Sequence, residues 1–174
     1  MATLRIPVSE KDHIQGSAEA PITLVEYGDY ECPYCGMAFP VLKRLQNRLG
    51  DNIRFVFRNF PIIQSHPLAE AAAEAAEFAG GQGRFWEMHD RIYEEQRRLG
   101  GPLILELVQE LQLPVEAFQE ALAQGTYRLR VKEDFMGGVR SGVNATPSFF
   151  INGEKFSGNA TELEGAIRAL LGKG

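Results

Sequence analysis

Hydrophobic and polar positions along the chain switch between two periods. The first clear alternation runs from Ile22 to Tyr27. With successive side chains on opposite faces of a strand, Ile22, Leu24 and Glu26 share one face and Thr23, Val25 and Tyr27 the other. From Pro33 to Leu49 the period becomes helical: Met37, Val41 and Leu45 recur with Ala38, Leu42 and Leu49. Pro33 sits in the first turn, where a missing N–H costs little. Pro40 lies inside and should kink the helix, and Gly50 ends it. Ile53, Phe55 and Phe57 then alternate with Arg54, Val56 and Arg58. A helix between two strands predicts a βαβ unit, a parallel pair with a right-handed crossover.

After residue 66 the pattern turns helical. Leu68 to Ala79 is Ala-rich, with Glu70, Glu74 and Glu77 forming a stripe that reads as a solvated face. Gly80-Gly81-Gln82-Gly83 breaks the chain. Arg84 to Leu99 carries the stripe Phe85, Met88, His89 and Ile92, on which His89 reads as a hydrogen-bonded packing residue and the adjacent Trp86 as core. Leu103 to Leu111, Val115 to Leu122 and Thr126 to Val139 follow as helices, the last weakened by Gly137-Gly138. The tail returns to strands. Ser148 to Ile151 is apolar, Asn152-Gly153 is a two-residue hairpin signal, and Glu154 to Ser157 is the antiparallel partner. Thr161 and Glu164 have capping-box spacing and open a last helix with Leu163, Ile167 and Leu170 facing inward. At the other end, Thr3 to Val8 suits a short edge strand, with Pro7 keeping it from a sheet centre, and Ser9 to Ala20 reads as a polar loop. The order is β-α-β, a helical block, then β-β-α, an α/β fold.

The two cysteines of the chain, Cys32 and Cys35, fall where the first strand passes into the helix, as Cys32-Pro33-Tyr34-Cys35. Positions i and i+3 of a helix share a face, so the two sulfurs can close a small disulfide or open to a dithiol. The Cys32 sulfur lies where unpaired N–H groups and the helix dipole favour an anion, which lowers a thiol pKa and makes a nucleophile. Half of a zinc site and an inert structural disulfide are the alternatives; zinc needs further ligands, and His13, His66 and His89 are scattered. Glu26 is either a carboxylate at an exposed strand end or a buried acid beneath the cysteines, with a pKa raised by desolvation.

A chain of 174 residues with 44% hydrophobic residues suits one domain, or one domain with a large insertion. Its net charge of −5 argues against a nucleic-acid footprint and a polybasic membrane patch. No apolar run approaches the roughly 20 residues of a spanning helix. Ile6-Pro7-Val8 is too short for the apolar region of a secretory signal, so the chain as given reads as cytoplasmic, or as periplasmic or extracytoplasmic if a leader has been removed.

The element order, with a cysteine pair after the first strand, resembles the thioredoxin fold, and the helical block between the halves resembles the DsbA-like thiol:disulfide oxidoreductases. LVEYGDYECPYC carries Glu26 six residues before the first cysteine, as those proteins do. GVNATPSFFING resembles the segment that brings a proline to their active site, and Pro40 sits where their active-site helix kinks. The resemblance is specific over residues 21–60 and 139–171. It implies a thioredoxin-like domain of residues 1–66 and 142–174 with an inserted helical domain of residues 67–141. It implies that Cys32 is an exposed nucleophile, Cys35 the buried resolving thiol, Pro147 cis, and the Thr146 backbone a pairing edge for the substrate chain. Pro33 and Tyr34 then complete the catalytic motif. DsbA-type oxidases usually place histidine where this chain has Tyr34. Its loss removes one stabiliser of the thiolate and moves the expected potential to roughly −170 to −230 mV, against about −120 mV for DsbA.

The function that follows is disulfide exchange with protein thiols by a monomer. It needs no cofactor beyond the Cys32–Cys35 disulfide and is served by an external redox partner or glutathione. A glutaredoxin-like, glutathione-dependent reductase is the alternative within redox chemistry. A non-catalytic iron–sulfur or metal carrier, with two chains sharing a cluster, is the alternative from another class.

Overall fold

A computed structural model describes residues 2–173. Its strands are β1 (His13–Gly16), β2 (Ile22–Gly28), β3 (Ile53–Asn59), β4 (Ser148–Ile151) and β5 (Glu154–Phe156). Its helices are α1 (Pro33–Leu49), α2 (Ala69–Gly81), α3 (Phe85–Glu94), α4 (Gly101–Glu110), α5 (Val115–Gln124), α6 (Arg128–Arg140) and α7 (Leu163–Gly172). The sheet order is β1-β3-β2-β4-β5. β2 and β3 are parallel and the other pairs antiparallel, so the βαβ unit and the later hairpin are as the periods predict. Asn152 and Gly153 both have positive φ, at 50° and 86°, as a two-residue hairpin turn of this kind requires. α1 runs through Pro40 to Leu49, with Pro40 on its exposed side.

β2 is hydrogen-bonded on both edges and covered on both faces. On one face Leu24, Phe55, Phe57 and Phe149 pack with α1, α7 and the helices between β3 and β4 in one continuous core. On the other, Val25, Tyr27, Val56 and Phe150 pack against Leu4, Val8 and Phe135 of α6. Glu26 lies on the first face, opposite Phe57 on one neighbour and Phe149 on the other.

Several local expectations are corrected. Residues 9–20 are not all loop: His13–Gly16 pairs with β3. Residues 3–8 form no strand beyond one bridge from Thr3 to Glu154. They are held instead by Arg58, whose guanidinium donates to the Ile6 and Pro7 carbonyls, to Tyr27 Oη and, through two nitrogens, to the Asp12 carboxylate. Glu74 and Glu77 are not solvated; both are buried. α2 has neighbours on several sides, so Glu77 meets His13 Nε2 at 2.9 Å and Asn59 Nδ2 at 2.9 Å. The helix predicted over residues 84–99 stops at Glu94 and gives way to a 3₁₀ turn, Gln96–Arg98. The final capping box uses Asn159 and Glu162 rather than Thr161 and Glu164, because a 3₁₀ turn precedes α7. Leu170 is exposed, while Leu163 and Ile167 are buried.

The glycines that should weaken α6 let it approach the sheet. A Cβ on Gly138 would sit 2.7 Å from Phe60 Cδ2 and 3.0 Å from Tyr27 Cδ1, both buried rings. We expect Gly138→Ala to destabilise the protein by about 1–3 kcal/mol in urea melts, despite alanine's better helix propensity. A neutral or stabilising result would mean that α6 can slide outward at no cost.

Candidate active site

β2 ends at Gly28, and the chain turns through residues 29–32 into α1. Asp29 organises that turn. Its buried carboxylate accepts Glu31 N at 2.8 Å and Cys32 N at 3.1 Å through Oδ1, a short-range pattern typical of Asp in turns. Oδ2 accepts Ile62 N at 2.9 Å and His66 Nδ1 at 2.8 Å from the connection after β3. Cys32 is thereby set at the N-cap of α1 with Pro33 as its first helical residue. From the helical block, Gln96 Nε2 donates to the carbonyls of Tyr30 at 2.9 Å and Cys32 at 2.8 Å. Gly36 leaves room for it, since a Cβ there would collide with Gln96 Oε1.

Both thiols are free, and their environments push them in opposite directions. The Cys32 pKa is lowered to about 5, first by the hydrogen bond from the Cys35 side chain. Burial opposes this, and the Thr146 side chain and the N–H groups of Cys35 and Tyr34 support it. The Thr146 hydroxyl is buried and meets no partner at hydrogen-bond distance. The Thr146 carbonyl lies 3.6 Å from Cys32 Sγ. The Cys35 pKa is raised well above 9 by burial, by its hydrogen bond to Cys32 and by the charge of Glu26. The expectation of an exposed Cys32 needs correction. Cys32 is 3% exposed and Cys35 1%, because the Thr146-Pro147 segment and the turn from Asp29 shelter the first sulfur.

Glu26 is 2% exposed, and its Oε2 has no hydrogen-bond partner. Burial and then the Cys32 charge raise its pKa to about 8. Around it and Cys35 stand buried aromatic side chains. Tyr30 Oη bonds His89 Nδ1 at 2.9 Å. Burial holds His89 neutral by pushing its pKa well below 6.5, so it is a packing residue as its stripe implies. Tyr93 Oη is buried and unpartnered.

The Thr146-Pro147 peptide bond is cis. Beside it runs an open groove of about 600 Å³, lined by Tyr34, Met37, Val41, Pro147, Phe149 and Thr161 among others. Tyr34 and Met37 are each 69% exposed. Among the described residues no group of three or more His, Cys, Asp and Glu side chains could hold a metal ion.

Cys32, Cys35, Glu26, Pro33, Tyr34, Thr146 and Pro147 thus gather around the start of α1. The sequence reading misses Asp29, His66 and Gln96. An Asp three residues before an N-cap cysteine was a usable signal for the first; the other two arrive from distant segments.

A family model described as thioredoxin matches residues 8–169, and the chain belongs to that family. The fold closely matches BdbD from Bacillus subtilis, with a TM-score of 0.87, 24% identity and 99% of each chain covered. It also matches α-DsbA1 from Wolbachia pipientis, with a TM-score of 0.83, 19% identity, and 98% and 95% of the two chains covered. Among curated proteins the chain is 45% identical over 157 residues to one named Na(+)/H(+) antiporter NhaA 1 from Salinispora arenicola, covering 90% of this chain and 24% of that protein. It is 41% identical over 169 residues to Na(+)/H(+) antiporter NhaA 3 from Salinispora tropica, covering 94% and 26%. The chain spans about a quarter of the length of these relatives.

The buried Glu26 makes a signed prediction. Its folded pKa, about 8, lies above its ordinary 4.5. The fold holds it neutral, so the associated stability is complete below pH 4.5 and is lost as pH rises towards 8. Glu26→Gln removes this dependence. The variant should gain on the parent by a few kcal/mol between pH 4.5 and 8 in paired denaturant melts. A gap that stays constant with pH would show Glu26 to be ionised throughout.

Proposed function

We propose that the chain is a thiol–disulfide oxidoreductase acting on protein thiols through Cys32 and Cys35. The observation that carries this is the geometry of the pair: Cys32 at the N-cap of α1, Cys35 buried one turn on, and the cis Thr146-Pro147 bond beside the first sulfur, a setting that lowers one thiol pKa and raises the other. In the oxidising direction, a substrate thiolate attacks Cys32 Sγ and breaks the Cys32–Cys35 bond. This gives a mixed disulfide and a Cys35 thiolate, which takes up a proton. A second substrate thiolate then attacks the substrate sulfur, and Cys32 leaves as a stabilised thiolate. The substrate has lost two electrons and the cysteine pair has gained them. In the reducing direction the Cys32 thiolate attacks a substrate disulfide. Cys35 then gives up its proton and closes on Cys32. Glu26, buried and neutral near neutral pH, supplies the Cys35 proton in the oxidising direction, and its carboxylate, which becomes populated as pH approaches 8, takes that proton in the reducing direction.

The groove beside Pro147 suits an extended peptide, whose backbone pairs with the edge at Thr146. Its lining includes no Lys, Arg or His to meet the two carboxylates of glutathione, which favours protein thiols over a glutaredoxin-like role. The shelter over Cys32 argues against two chains sharing a cluster. Every residue of the proposed site comes from one chain, which supports the reading of a working monomer. Gln96 ties the helical block of residues 67–141 to the Cys32 turn, so the block supports the site of the thioredoxin-like part, residues 1–66 and 142–174, besides filling the core. No helix among the described residues is long and apolar enough to cross a membrane.

Trapping tests the reaction. Cys35→Ser should accumulate mixed disulfides with an oxidised protein substrate, the Cys32 thiolate displacing one sulfur of the substrate disulfide, detected by mass, and Cys32→Ser should form none. Trapping by Cys32→Ser would reverse the roles, and trapping by neither would end the proposal. A Cys32 pKa of about 5 lies between roughly 3.5 for DsbA and 7 for thioredoxin, so glutathione equilibration should give a potential of roughly −170 to −230 mV. A value above about −140 mV would make the protein a dedicated oxidase.

A further inference from the structure

The connection after β3 is strapped across the Cys32 turn by two carboxylates. Asp29 takes Ile62 N and His66 Nδ1, and the Glu31 carboxylate takes Leu68 N at 3.1 Å. The backbone holds His66 as well, its N–H donating to the Ile62 carbonyl at 2.8 Å. His66 faces Asp29, so the proton sits on Nδ1, and the side chain is 20% exposed while Asp29 is closed to solvent. Asp29 cannot be dispensed with, because it holds Cys32 N in place. A buried carboxylate bonded to the residue that must become a thiolate nevertheless opposes that thiolate by like charge. His66, charged when protonated, is the group paired with Asp29, and among the described residues no Lys or Arg pairs with Asp29 or Glu31.

We propose that His66 is a positioning residue for the Cys32 thiolate: as imidazolium it offsets the negative charge of Asp29 and Glu31 and carries the strap that locks the turn. This goes beyond the function proposed above and rests on it only for the consequence in redox potential. The groups acting on His66 are Asp29, Cys32 and Glu31, all from the β2–α1 connection. On the neighbouring α2, Glu70 is engaged by Arg128 at 3.4 Å. Burial pulls the His66 pKa down, but the Asp29 hydrogen bond and charge, then Cys32 and Glu31, outweigh it and raise it above 6.5. Coupling between two sites is reciprocal. A Cys32 thiolate that favours imidazolium is favoured by it to the same degree. His66 thus restores part of what a cation after Pro33 would supply, and it does so in a pH-dependent way.

The test compares the parent with His66→Asn, whose side-chain amide can keep the donor to Asp29 without the charge. Iodoacetamide alkylation of Cys32 in the reduced proteins, followed by peptide mass from pH 4 to 8.5, reads thiolate formation directly. The variant's rate should fall roughly two- to fivefold near pH 5, the size of one screened charge interaction, and match the parent at pH 8.5. Equal rates throughout, or a loss of the same size at every pH, would overturn the proposal. The parent alone gives a second reading if the variant does not fold. The His66 ring protons, titrated by NMR, should show a higher pKa in the reduced than in the oxidised protein, and equal values would overturn the proposal. Neither readout needs a protein substrate. If the trapping experiment fails while these succeed, the redox assignment falls and the role of His66 stands.

Discussion

The Cys32–Cys35 site depends on one buried carboxylate. The first turn of a helix leaves N–H groups without partners, and here Asp29 takes two of the N–H groups that lead into it. Its other oxygen ties the same turn to the connection after β3. With the turn fixed, the amides of Tyr34 and Cys35 face the Cys32 sulfur, and the Thr146-Pro147 segment closes over it. A sulfur held in this way needs no metal or neighbouring lysine to become a thiolate. The local dipoles and the Cys35 thiol are already oriented towards it.

The same arrangement explains why the partner thiol behaves differently. Cys35 lies one helical turn on, beneath Cys32 and above Glu26, in a setting closed by Tyr30, Tyr93 and Phe57. Burial opposes any charge there, so Cys35 and Glu26 both stay protonated at a pH where Cys32 is ionised. One apolar wall thereby stores a proton next to a thiolate. Gln96 extends the control outward, since its amide links the helical block to the two carbonyls on either side of Glu31.

Much of this was legible from single periods. β2, α1, β3 and the β4–β5 hairpin each follow one uninterrupted pattern, and the cysteine spacing with Glu26 at the sixth position before it located the chemistry. β1 was not legible, because His13-Ile14-Gln15-Gly16 is too short to show alternation and draws its stability from pairing with β3. Glu74 and Glu77 misled because a helix with neighbours on several sides has no solvent face for a polar stripe. Asp29 and His66 are 37 residues apart, and their pairing exists only once β2 and β3 lie side by side. The placement of Pro147 came from resemblance alone; its cis bond is an observation of the fold.

The central claim is that the folded reduced protein stabilises a thiolate at Cys32. The folded pKa, about 5, lies below the roughly 8.5 of an unfolded cysteine. The stabilisation is therefore complete above the unfolded value and is lost as pH falls through the folded one. The most direct measurement is the unfolding free energy of the reduced protein minus that of the oxidised protein, taken at intervals from pH 5 to 8. The oxidised form has no Cys32 proton to lose, so the reduced form should gain on it by roughly 3 kcal/mol across that interval. A difference that stays flat with pH would mean that Cys32 is an ordinary buried thiol and would contradict the account.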